Sequence, residues 1–167
     1  MKALTIWQPW ASLIIAGAKP YEFRKNRAPR SIIDQRIVIH AGKHAIERDE
    51  VEDMLCLLTL RHEPDFTQDA AQLCLHPSKA IPVLEAFMRG ELPIGAGIGT
   101  AIVGPSRIGT DIAAEFGVTR ANDSIRDDQA NWGWSMLDVQ EWNAPVPARG
   151  MQGLWPWPAA ASFAGTL

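Results

Sequence analysis

Lys19, Tyr21, Glu22 and Arg24 place an amine, a phenol, a carboxylate and a guanidinium within the stretch Gly17-Ala18-Lys19-Pro20-Tyr21-Glu22-Phe23-Arg24. As a cation, Lys19 can hold a phosphate or a base carbonyl. Desolvated beside Arg24, it can give up its proton and act as a base. Glu22 can pair with either cation, or accept hydrogen bonds from an exocyclic amine as carboxylates do from cytosine N4. Tyr21 can stack on a base or donate its hydroxyl to developing negative charge. Arg24 can grip a phosphate through two parallel N–H groups. Lys19, Tyr21 and Glu22 are therefore the candidate catalytic groups, and Arg24 a ligand-binding one. The plain alternative is a structural ion pair beside a core tyrosine. Strict strand alternation would put Lys19 and Tyr21 on one face and Glu22 and Arg24 on the other. A bend at Pro20 would reunite them.

Further ligand-binding candidates lie on either side. Trp7 can stack on a base and Gln8 can read a base edge. Trp10 and most of the seven tryptophans are more naturally core and seam residues. Lys25, Arg27 and Arg30 form a basic rim. His40 ends an apolar run, where a histidine is commonly a satisfied core residue, yet it lies close enough to rank second. Ser135 is a hydroxyl between Trp134 and Met136. Arg149 and Gln152 flank Gly150 and can reach a phosphate or stabilise a turn. The net charge of −3 conceals an asymmetry: residues 1–43 carry eight Lys/Arg against two acids, and the other 124 carry eight against 17. A phosphate-bearing partner is drawn to the first part and repelled by the second.

Other chemistries find no foothold. There is no Gly-rich phosphate loop and no nucleophile elbow. His44, His62 and His76 lack ligand spacing, so no metal and no cofactor is expected. Cys56 and Cys74 read as small buried hydrophobes. No apolar run spans a bilayer and the first residues lack a signal-peptide core, which predicts a cytoplasmic protein without membrane contact.

Elements must hold these side chains in place. Residues 2–7 alternate as a strand, with Leu4 and Ile6 on one face. Pro9 suits the first turn of a helix running to Ala16, and Gly17 its stop. Residues 21–24 are extended, 26–31 a basic loop, and 36–42 a buried strand through Ile37, Val38 and Ile39. Residues 45–60 form an amphipathic helix with acids at its front. Residues 62–67 are a loop, and 78–89 a second helix stopped by Gly90. Strands return at 97–104 and 132–142, with a short helix at 111–116, a polar loop at 122–129, and a closing segment at 152–155. Strands at both ends and helices between them predict an α+β fold: a small β-barrel whose ends are capped by helices, not a parallel Rossmann type. One domain covers residues 1–158, with a helical insertion at about 44–93 and a frayed tail at 159–167.

Gly17-x-Lys19-x-x-Glu22-x-Arg24 resembles the GxKxxExR signature of the ASCH domain, in the PUA-like β-barrel superfamily. Leu4-Thr5-Ile6-Trp7-Gln8-Pro9-Trp10-Ala11 is similar to that family's L-S-I-x-Q-P-W-A entry. Ile39-His40-Ala41-Gly42-Lys43 is similar to its I-H-A-G/A-K strand, and Ala148 to Trp155 to its A-R-G-x-Q-G-L-W ending. The resemblance implies a cleft under the first helix, into which Lys19, Glu22 and Arg24 point. It also implies kinship with RNA-binding folds and with YTH and EVE readers of modified bases. Some ASCH-like proteins hydrolyse acylated cytidine nucleosides, and ribonuclease activity has been proposed for others. In the amidohydrolase type a threonine follows the lysine by three positions; here that position is Glu22. The expected partner is RNA, a nucleotide or a modified nucleoside, and DNA shares the phosphates that the rim would grip. A metal-independent hydrolase of the same ligands and a protein-interaction module docking through the acidic helix are the alternatives.

Overall fold

A computed structural model describes residues 1–121 and 132–158. Six strands form one sheet in the order β2-β5-β4-β3-β1-β6. They are β1 (Lys2–Gln8), β2 (Tyr21–Arg24), β3 (Gln35–Ala45), β4 (Ala96–Ile108), β5 (Trp132–Pro147) and β6 (Leu154–Pro156). All neighbours are antiparallel except β1 and β3, which run parallel. The expected barrel is not closed by hydrogen bonds among the described residues: β2 and β6 are free edges, each paired on one side only. The closing segment at 152–155 adds β6 beside β1 instead of joining β2.

Period-two alternation gives this sheet two different faces. Leu4 and Ile6 of β1, with Ile37, Ile39 and Ala41 of β3, point into the main core. There they meet α1 (Trp10–Ile15), which lies across β1, β3, β4 and β5. On the reverse face Ala3 and Val38 pack against Trp155 and Trp157. The main core extends through α2 (Arg48–Thr59) and α4 (Pro77–Met88) by way of Val51, Met54, Leu58, Ala80 and Leu84.

Two expectations differ locally. The loop at 62–67 is instead the start of α3 (Pro64–Gln72). Pro64 occupies the first helical position, where its missing N–H costs nothing, and Asp65 complements the positive helix end. Cys74 is buried as expected, whereas Cys56 is exposed, on the solvent side of α2 between inward-facing Met54 and Leu58. The short helix appears as α5 (Gly109–Glu115). The polar loop at 122–129 and the tail at 159–167 lie outside the described residues.

Gly99 of β4 marks where α1 and β5 press closest. A Cβ there would stand 2.5 Å from the Gln140 carbonyl oxygen and 2.7 Å from Ile15 Cδ1. Gly99→Ala is expected to destabilise the fold by about 1–3 kcal/mol, because backbone and helix must both retreat. A lowered urea midpoint checks this; an unchanged midpoint contradicts it.

Candidate functional site

Lys19 reaches its position through the chain reversal after α1. Gly17, at φ +66°, turns the backbone. The Ala18 and Lys19 amides then both donate to the Leu13 carbonyl, at 2.8 and 3.0 Å. Pro20 starts the extended segment, and its carbonyl accepts from the Met136 amide of β5. The reversal carries the Lys19 side chain onto the Glu22 side of the strand. Its ammonium donates to the Tyr21 carbonyl at 2.6 Å and to Glu22 Oε2 at 3.3 Å. The other Glu22 oxygen pairs with Arg24 Nη2 at 3.0 Å. Lys19, Glu22 and Arg24 thus meet through one carboxylate.

Exposure grades across the triad. Lys19 is 2% exposed and its ammonium lies within 5.5 Å of the Trp10 ring centroid and 5.1 Å of that of Phe23. Glu22 is buried. The Arg24 side chain is 35% exposed, stands over Trp134 at 5.8 Å, and its Nε has no hydrogen-bond partner among the described residues. Tyr21 goes the other way. Its hydroxyl accepts from Arg107 Nη1 at 2.6 Å and donates to Glu115 at 2.9 Å, while Arg107 and Glu115 form an ion pair of their own. Burial pushes the Tyr21 phenol above its usual value, and the Glu115 carboxylate adds to the rise against the opposing pull of Arg107. No sequence signal linked Arg107 or Glu115 to Tyr21.

The model of the ASCH domain matches residues 4–91, just over half of the chain and the whole of the segment carrying the triad. The chain belongs to the ASCH domain family. Among solved structures it is similar to two mutants of ZmASCH from Zymomonas mobilis, a tyrosine-to-phenylalanine and a serine-to-alanine variant, each with a TM-score of 0.50. Identities are 14% and 13%; the matches cover 96% of this chain and 91% and 89% of the others. At that identity the likeness concerns the fold alone, a mixed α+β arrangement. No curated protein sequence matches.

The remaining candidates of this ASCH chain are scattered. Lys25, Arg27 and Arg30 are exposed on the segment after β2, close to Arg24 in the chain. Gln8 is buried and fully used: its amide donates to Ser12 Oγ and the Pro93 carbonyl, and its oxygen accepts from the Ser12 amide, which secures the first turn of α1. Trp7 lies on the reverse face, exposed, with the His44 ring 5.7 Å away. His40 is on that face too, edge-on to Trp155. Arg149 and Gln152 are exposed in the segment that crosses it. Ser135 donates to the Pro105 carbonyl at 2.8 Å. Among the described residues no group of three or more His, Cys, Asp or Glu is gathered for a metal ion.

Removing the shared carboxylate strands a buried ammonium. Glu22→Gln is therefore expected to cost about 3–5 kcal/mol in a denaturant titration. Lys19→Met should cost less, since Glu22 keeps Arg24. Equal effects would contradict the arrangement.

His40 supplies a pH test. Its Nε2 lies 3.0 Å from the Ala148 carbonyl, which only accepts, so Nε2 carries the proton. Its Nδ1 is buried without a partner among the described residues. Burial lowers the His40 pKa, partly offset by the Ala148 bond. The unfolded chain takes up the proton near pH 6.5, so stability is lost as pH falls below that value, by at most about 1.4 kcal/mol per pH unit. His40→Gln should flatten the dependence between about pH 6.5 and 5; an unaltered slope would contradict it.

Proposed function

We propose that this ASCH chain binds RNA or a modified nucleoside at the Lys19–Glu22–Arg24 triad. The observation that carries the reading is the Arg24 guanidinium. One nitrogen is anchored to Glu22, the buried Nε has no hydrogen-bond partner among the described residues, and about a third of the side chain is open to solvent, close in the chain to exposed Lys25, Arg27 and Arg30. An anchored guanidinium is already oriented, so less freedom is lost when it takes a phosphate. Two cations sharing one anion leave a net positive charge, which draws phosphates. The RNA-binding kinship of the ASCH and PUA-like families supports the same ligand class.

Binding is better supported than hydrolysis. The Lys19 ammonium is enclosed by the Tyr21 carbonyl, Glu22 and two aromatic rings, which leaves it poorly placed to act as a base. Tyr21, the proposed hydroxyl donor, is engaged with Arg107 and Glu115.

A single-stranded RNA titration tests the reading. If about three phosphates are neutralised, affinity should fall roughly 20-fold between about 50 and 200 mM salt. Arg24→Ala should weaken binding about 10-fold, the loss of one charged hydrogen-bond donor set. Affinity indifferent to both would remove the proposal.

A further inference from the structure

The surface that carries Glu22 and Arg24 continues onto β5. Glu22 is the register partner of Trp134, and Arg24 that of Trp132. Directly opposed residues of an antiparallel pair share a face, so the acid, the guanidinium and both indoles lie together. Arg27, exposed on the segment after β2, places its guanidinium 4.0 Å over the half-buried Trp132 ring. The next strand adds Ile108, exposed, opposite Trp132. From Phe23 to Ile33 the chain contains no acid, while Arg24, Lys25, Arg27 and Arg30 are all cationic.

A guanidinium seated over an indole uses one side for that contact and keeps N–H donors available on the other. Such a pair offers a base a flat cationic platform and offers the adjoining phosphate N–H donors. Arg24 and Glu22 are two strand residues apart, about 7 Å. Trp132 sits beside Arg24, at the end of the triad away from Lys19. A peptide side chain can also stack there, but the run of uncompensated cations favours a chain that carries a phosphate at every repeat.

We propose that Arg27 and Trp132 form a second, base-stacking subsite one nucleotide along from the triad, which makes the ligand a single-stranded oligonucleotide and not a free nucleoside. The inference rests on the reading that the triad holds a nucleotide. Stacking on this platform tolerates every base, since each has a π face. Arg27 acts through its planar shape as well as its charge.

The test compares uridine monophosphate, a uridine dinucleotide and a longer oligouridylate, titrated by calorimetry at one fixed salt concentration. The dinucleotide is expected to bind about 5- to 100-fold more tightly than the mononucleotide, the gain from one stacked base. Arg27→Ala and Trp132→Leu should each bring that ratio close to unity. Arg27→Lys should do the same, because an ammonium keeps the charge without the flat face. Arg27 is exposed, so its variants carry the test even if Trp132→Leu fails to fold. A dinucleotide no tighter than the mononucleotide, or full rescue by Arg27→Lys, would overturn the subsite. If the mononucleotide binds and depends on Arg24 while the ratio is near unity, only this inference falls. If no nucleotide binds, the triad reading falls first and takes the subsite with it.

Discussion

A buried ammonium is the constraint around which the site is organised. Lys19 has almost no contact with solvent, and an ammonium removed from water costs several kcal/mol unless anions and dipoles replace its hydration. The Tyr21 carbonyl and the Glu22 carboxylate supply those partners. That need dictates the geometry before it. Gly17 must reverse the chain and Pro20 must begin the strand where it does, so that Lys19 lands beside a residue three positions on. Glu22 then has one oxygen left, and Arg24 takes it. The outcome is a positively charged group of three whose most accessible member is held still by its least accessible ones.

The sheet's two faces divide the remaining chemistry. On the core face α1, the helical layer, the triad, Trp134 and Trp132 are neighbours. The other face carries Tyr21 beneath α5, and further along His40, Trp155, Trp157 and exposed Trp7. Residues that adjoin in the chain, such as Tyr21 and Glu22 or Trp7 and Gln8, therefore serve different surroundings. Gln8 is spent on holding α1, and His40 sits in an aromatic layer with one ring nitrogen unpartnered among the described residues. Membership of the ASCH family accounts for the motif that bears the triad, while the wider fold likeness extends over the strands that follow.

Much of the architecture was legible because its signals are short-range. Alternation revealed β1, the β-branched run revealed β3, and the acids and apolar stripe revealed α2. The missed helix α3 shows the limit. It is only nine residues long and buries little beyond Ala70, and Glu63-Pro64-Asp65 is what announces its start. Closure of the barrel was not legible for a different reason. Six strands suffice to curl a sheet, but whether its edges meet depends on strand order, and β6 pairs with β1, away from β2.

The sequence by itself determined which chemical groups are concentrated between Lys19 and Arg30, that a helix stop precedes them and that a proline follows Lys19, because those effects act over a few residues. Only the tertiary structure decided that Lys19 crosses to the Glu22 side while Tyr21 turns to Arg107, and that Arg24 and Arg27 find Trp134 and Trp132. Those partners lie about a hundred positions further along the chain, and the pairing register of β2 and β5 selects them. A slip of one residue would turn the tryptophans to the opposite face.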